Sequence, residues 1–286
     1  MIDRRTVVTA AAGLAAAPVQ IQAQAQAASF DIGKAADTLP AFARLTGNIK
    51  GGAVLRWHTG TIGAVLPGEA PKPLVAYDGL EKEVWTANGD GTFTTAYFDI
   101  GYFKNIGGTA PVESWNNPVT GDAVPPMTFR SGRFVATLNA GNFKRDIEVR
   151  GDDIMFTSRS TVAFPAMMKP EAYALESAGP LHFFSVVRAD HGRISEATDP
   201  RVASAPLAWS YTLTTVWLPW MKMGGRPGAV VWTGIGGKYR DASDVPAGFK
   251  AFLDREQPDY LTNVEPWSEV RNMWGDYMRA HPPAKT

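Results

Sequence analysis

From Gly52 onward the chain is a succession of short apolar segments separated by Gly-, Asn- and Pro-rich turns, and this pattern limits the fold more than any other feature. Ala53 to Thr59 is a strand by composition, and Leu74 to Trp85 is a second. Asn88-Gly89-Asp90-Gly91 is a strong hairpin signal, so Phe93 to Phe103 returns beside it as a third. Further strands are expected around Thr128 and over Arg133–Leu138, Phe143–Val149 and Ile154–Phe164, the last two joined by the turn Arg150-Gly151-Asp152-Asp153. Leu181–Val187, Pro206–Trp217 and Ala229–Thr233 complete the set.

Helical spacing is confined to the two ends. Ile32, Ala35, Ala36 and Leu39 fall on one face of a segment from Asp31 to Arg44 that Pro40 should break or bend. Ser243 or Asp244 is placed to cap a helix from Pro246 to Gln257. Trp267, Val270, Trp274 and Tyr277 recur at the spacing of one amphipathic helix face. Strands without intervening helices exclude a βαβ parallel sheet. The expected fold is mainly β: an antiparallel barrel or a strongly curved, calycin-like sheet, with an N-terminal helix and C-terminal helices.

The first 27 residues read as a cleavable export signal, which leaves 28–286 as a single β-rich domain. Met1 to Arg5 is charged, Val7 to Val19 is apolar but too short to span a bilayer, and Ala23-Gln24-Ala25 and Ala25-Gln26-Ala27 both offer a small-x-small cleavage site. Arg4-Arg5 points to the twin-arginine route, although Asp3 before the pair and Thr6-Val7 after it depart from that pattern. The expected destination is the periplasm or the medium, with the export machinery and signal peptidase as transient partners. The 28 basic and 28 acidic side chains balance, which argues against a nucleic-acid or anionic-membrane partner. With no cysteine, disulfides, thiol nucleophiles and thiolate metal sites are excluded.

Four stretches carry a resemblance. They are Gly52-Ala53-Val54-Leu55-Arg56-Trp57-His58-Thr59-Gly60, Pro73-Leu74-Val75-Ala76-Tyr77-Asp78-Gly79, Trp115-Asn116-Asn117-Pro118-Val119-Thr120-Gly121 and Trp217-Leu218-Pro219-Trp220-Met221-Lys222-Met223-Gly224. In this order and spacing the chain resembles the family known as domain of unknown function 1838, over about Gly52 to Trp267. Members often carry a twin-arginine signal, which is what the resemblance implies for Arg4-Arg5. It brings no reaction and no catalytic residue with it.

The site must therefore be sought in the residues. There is no Gly-x-Ser-x-Gly elbow and no His-Glu-x-x-His helix. Gly234-Ile235-Gly236-Gly237-Lys238 lacks the leading glycine and the Ser or Thr of a phosphate loop, so no cofactor is expected. Of the four histidines, His281 lies in the tail and His191 in an expected turn, too few and too scattered to predict a metal site.

Two strands then hold the titratable candidates. Arg56 and His58 share one strand face, and Leu55 and Trp57 share the other. The plainer expectation puts Arg56 and His58 outward in solvent; the alternative puts them inward, against a ligand or a carboxylate. His182 follows Glu176 across Gly179-Pro180, an arrangement that can orient a general base or simply make a structural hydrogen bond. Trp57, Tyr97, Trp115, Trp217 and Trp220 are candidate aromatic walls, with Arg56 or Lys222 as a polar anchor; for each the competing reading is core or turn chemistry. Three functions fit: binding of a small, largely apolar molecule in an aromatic-lined barrel pocket, a cofactor-independent isomerase, lyase or cyclase with a His or Tyr acid/base, and a structural or interaction role.

Overall fold

The computed structural model describes residues 30–263 and 272–283. The expected export signal and the first two residues of the expected C-terminal amphipathic face, Trp267 and Val270, lie outside the described residues. A helix α1 (Ala35–Thr46) leads into β1 (Ala53–Val65), β2 (Lys72–Ala87) and β3 (Phe93–Lys104). A two-residue pair follows, β4 (Trp115–Asn116) and β5 (Ala123–Val124), and then β6 (Phe129–Leu138), β7 (Asp146–Arg150), β8 (Asp153–Pro165) and β9 (Leu181–Arg193). A single turn of helix, α2 (Ile194–Ala197), precedes β10 (Ala208–Thr215) and β11 (Ala229–Lys238). Helices α3 (Ala247–Glu256) and α4 (Met273–Ala280) end the fold.

Nine strands form one sheet in the order β6-β3-β2-β1-β11-β10-β9-β8-β7, every neighbouring pair antiparallel. The sheet curls into a half-barrel. Strands alternate their side chains between faces, so each strand supplies both the concave and the convex side. On the convex side Leu55, Leu80, Phe98, Ile100 and Tyr102 pack under Phe249, Phe252 and Leu253 of α3. At one end of the concave face α1 lays Leu39, Phe42 and Leu45 over Trp85, Phe143 and Phe156. The opposite end is closed by Trp115, Trp217, Trp220 and the α4 residues Trp274 and Tyr277.

Several local expectations shift. Helix α1 runs through Pro40 instead of stopping there. Its cost is tolerable because Leu39, Phe42, Ala43 and Thr46, spaced i, i+3, i+4 and i+7, bury one helix face that extends on either side of the proline. The cap of α3 is Pro246, while Ser243 and Asp244 belong to a separate 3-10 turn capped by Asp241. His191 lies within β9, paired with Ala208 and Met155, not in a turn. Pro219 follows β10 in a 3-10 turn, Pro219–Met221, where its missing N–H leaves no ladder bond unmade.

No helix among the described residues is long and apolar enough to cross a membrane.

Candidate functional site

The site begins with an unusual use of glycine. In a strand interior glycine offers no side chain to pack, and its presence marks close approach by something else. Here four concave-face glycines lie under large rings. A Cβ built on Gly101 would stand 2.1 Å from Phe129 Cζ, and one on Gly236 would stand 2.4 Å from Trp209 Nε1. One on Gly234 would stand 2.2 Å from the Tyr77 hydroxyl. The fourth, Gly79, would place its Cβ 2.1 Å from His58 Nε2.

Gly79 is the direct cross-strand partner of His58, and Gly101 is the partner of Gly79 one strand further on. The imidazole therefore crosses β2 over a bare backbone and reaches Asp99 on β3, with Nε2 3.0 Å from Asp99 Oδ1. His58 is 4% exposed. Burial pushes its pKa down, but the Asp99 charge and hydrogen bond, and more weakly Glu81, lift it above the ordinary histidine value. With Nε2–H donated to the carboxylate, Nδ1 is the other ring nitrogen; it is buried and has no hydrogen-bond partner among the described residues. Tyr77, Phe129, Trp209 and Tyr211 surround the ring at centroid distances of 5.5–6.1 Å. The Tyr211 hydroxyl donates to that of Tyr77 at 2.5 Å, and Tyr77 donates on to the Thr233 carbonyl.

The Asp99 dependence gives a direct expectation. In NMR titration His58 should titrate above the ordinary value of about 6.5. In Asp99→Asn the main lifting charge is gone and burial is opposed only by the weaker Glu81 charge, so the midpoint should fall. An unchanged midpoint would mean that the pair does not exist in solution.

Beside the dyad runs a buried charge network. Arg56, 3% exposed, contacts Glu81 at 2.7 Å and Glu83 at 2.5 Å. Arg188 of β9 contacts the same Glu81 at 3.3 Å and Asp190 at 3.0 Å, and its guanidinium lies 3.9 Å above the Trp209 ring. Burial pushes Glu81 up, but the two arginines outweigh it and leave its carboxyl below its ordinary range. Burial leaves Glu83 above that range, since the arginines only partly offset it. The expectation of a solvated outward face for Arg56 and His58 is thus overturned. Their face is concave, and carboxylates from β2 and β3 meet them there.

From this charged floor a cavity of about 860 Å³ extends over the concave face. Its wall includes His58, Glu81, Tyr97, Asp99 and Arg188 at the floor, and Phe184, Val186, Leu213, Trp232 and Trp274 further along. Phe134, Val162 and Met167 also line it and are 57%, 49% and 43% exposed, which makes its mouth apolar.

His182 lines the same cavity but at the other end. Register carries His58 through Gly236 and Trp209 to a level with Asp190 on β9. His182 is eight residues back along that strand, a distance on the order of 20 Å or more. The two histidines therefore do not converge on one atom. Burial alone pushes His182 down to about 4, with no contribution from Glu176, so it stays neutral near pH 7. It stacks on Phe164 and meets the edge of Trp274. Glu176 faces Tyr277 instead, helping burial raise that hydroxyl.

The remaining candidates divide by location. Tyr97 lines the cavity and accepts a hydrogen bond from Ser131. Trp57 points to the convex face and packs in the α3 cluster. Trp115 and Trp220 pack edge to face at 5.2 Å in the core that closes one end, and Trp217 joins them, its N–H donated to the Arg226 carbonyl. Lys222 caps the 3-10 turn in a left-handed conformation and is not on the cavity wall. Asp99, Arg188, Trp209, Tyr211 and Trp232 were not expected from the sequence.

A family model described as Protein of unknown function (DUF1838) matches residues 51–281. The chain belongs to that family. The match takes in all eleven strands and α3, and hence every residue of the dyad and charge network. No curated protein and no solved structure matches the chain.

Proposed function

We propose that this DUF1838 protein is exported, by the twin-arginine route suggested by Arg4-Arg5, and binds a small, largely apolar molecule in the concave cavity of its half-barrel. The observation that carries this reading is the cavity itself: about 860 Å³, with many aromatic and aliphatic side chains on its wall, the charged groups Glu81, Asp99 and Arg188 at the His58 end and His182 at the other. That combination of size and lining is typical of small-molecule sites. The apolar mouth at Phe134, Val162 and Met167 gives such a molecule a compatible entrance.

The test is native mass spectrometry of the protein without residues 1–27, before and after incubation with an apolar extract of the producing cells. The reading predicts a one-to-one adduct that organic solvent releases. A protein that retains nothing and takes up nothing would contradict it.

The His58–Asp99 pair favours a second reading, proton-transfer catalysis without a cofactor. A carboxylate that holds one imidazole nitrogen leaves the other to accept or donate a proton, and such a group acts best with a pKa near working pH. Under this reading His58→Ala abolishes turnover of the bound molecule while His182→Ala, remote from the dyad, affects binding alone.

A further inference from the structure

One long stretch of sheet edge is left bare. β7 covers only the first part of β8, pairing Asp146–Arg150 with Asp153–Thr157. From Ser158 to Pro165, β8 pairs with β9 on one side and, among the described residues, with no strand on the other. The backbone at both ends of β8 shows which residues face β9. The Ile194 N–H donates to the Asp152 carbonyl, and the Ala166 N–H donates to the Pro180 carbonyl. Successive residues of a strand direct their backbone groups to opposite sides, so the even-numbered residues bond to β9. Arg159, Thr161 and Ala163 therefore turn both N–H and C=O outward, and among the described residues these groups have no partner.

Native proteins guard such edges with charge, proline, shortness or a cover. β7 is guarded: it is short, and Asp146, Glu148 and Arg150 are charged. On β6, the other rim, Asn272 already bridges Ser131. Along Ser158–Pro165 these devices are missing. The one charged side chain, Arg159, is held by Asp146, and the one proline, Pro165, stands at the very end. Every residue from Arg159 to Pro165 is exposed. On the concave side Ser160, Val162 and Phe164 line the cavity mouth, whose wall also includes Phe134 of β6.

An extended polypeptide complements this edge. It offers C=O and N–H groups at the repeat of the strand, and sends alternate side chains into the mouth. The mouth is apolar, and the edge has no unpaired charge to select an ionised side chain. A second copy of the chain would have to bring its whole sheet between the β6 and β8 rims. We propose that Ser158–Pro165 of β8 is a binding edge for an extended polypeptide segment of alternating apolar and uncharged polar residues. The segment adds as a tenth strand, with its apolar side chains in the cavity mouth. This site stands on the β8 edge and goes beyond the small-molecule reading of the cavity.

The probe is a fluorescein-labelled, end-blocked peptide of alternating threonine and valine, about eight residues long to match the edge, with a polyethylene glycol tail for solubility. Anisotropy with the protein lacking residues 1–27 should show saturable binding below about 1 mM. N-methylation of all its valines, or of all its threonines, removes the donors along one side of the peptide strand. At least one of the two methylated peptides should bind about tenfold more weakly or worse. On peptide addition the amides of Arg159, Thr161 and Ala163 should gain protection from hydrogen exchange. Those of Ser160, Val162 and Phe164, already bonded to β9, should change little. Thr161→Pro removes an outward N–H without breaking a bond to β9, and should weaken the peptide about tenfold in a variant that keeps the parent circular dichroism. No saturable binding, equal binding of both methylated peptides, or protection that does not alternate would overturn the site. So would a free protein in which those three amides are already protected, because the edge would then be filled by the chain itself or by a second copy, which sedimentation tells apart. Titration with the neutral apolar fluorophore N-phenyl-1-naphthylamine reads the cavity separately. A peptide that fails while the fluorophore binds removes the edge site alone, and the reverse result removes the small-molecule reading alone.

Discussion

Replacing Arg56 by methionine should destabilise the protein by about 3–5 kcal/mol, the range for removing one partner of a buried ion pair. Arg56 is the shared cation of two carboxylates, Glu81 and Glu83, each less than a tenth exposed. Without it Arg188 still reaches Glu81, but among the described residues Glu83 keeps only the Thr95 hydroxyl as a hydrogen-bond donor. The loss is therefore less the worth of one ion pair than the penalty of a stranded carboxylate. Adding Glu83→Gln to Arg56→Met should recover a substantial part of it, because the amide is neutral. Chemical denaturation of the parent, the single and the double variant measures this. A single-variant loss below about 1 kcal/mol, the scale of an exposed pair, would mean that the network is solvated.

Gly79→Ala should be the most damaging single-methyl change for the site. Its Cβ would lie 2.1 Å from His58 Nε2 and 2.3 Å from Cε1, contacts that no side chain tolerates. The imidazole must leave the path over β2, and the bond to Asp99 goes with it. Loss of that charge-assisted hydrogen bond and the unpaired groups left behind amount to about 2–4 kcal/mol. The same variant should lower the His58 titration midpoint as Asp99→Asn does, since both separate the ring from the carboxylate. Gly248→Ala is the matched control. A Cβ there meets nothing within 4 Å, and alanine is the better helix former, so that variant should be neutral or slightly more stable. If Gly79→Ala melts with the parent and leaves the His58 midpoint unchanged, the account of how the dyad is assembled is wrong.

The strand order of events along the chain was legible because turn chemistry is local. Asn88 to Gly91 and Arg150 to Asp153 mark hairpins by themselves, and the structure places β2–β3 and β7–β8 around them. The polar pair Arg56 and His58 was legible as sharing a face. Which face it occupied was not, because the reason for burying it lies far off in sequence, in Glu81, Glu83 and Asp99. Those residues looked like ordinary polar positions in an alternating pattern. Their signal was present in the phase: Glu81 and Glu83 sit two apart on one strand, and Tyr97, Asp99 and Gly101 continue the same alternation on the next. Gly234 and Gly236 were weighed as a phosphate loop and rejected, yet their actual role, making room for Tyr77, Tyr211 and Trp209, depends on rings from other strands. The Trp217 to Met223 stretch failed as a pocket wall for the opposite reason. Trp220 packs against Trp115 and Phe103, and the indoles of Trp217 and Trp220 close the core, while Leu218 reaches the cavity wall.

The central claim is that the concave cavity takes up an apolar molecule, and titration with N-phenyl-1-naphthylamine tests it most directly when the parent is compared with Val186→Trp. Val186 lies midway along the cavity wall between the His182 and Arg188 ends of β9. Its register neighbours are Leu213 on β10 and, beyond it, Trp232 on β11, so an indole there fills space on the apolar part of the wall. The account predicts saturable one-to-one fluorescence enhancement with the parent, and at least a tenfold weaker response from a Val186→Trp protein that still melts cooperatively. Equal binding by the two proteins, or none by the parent, would contradict it.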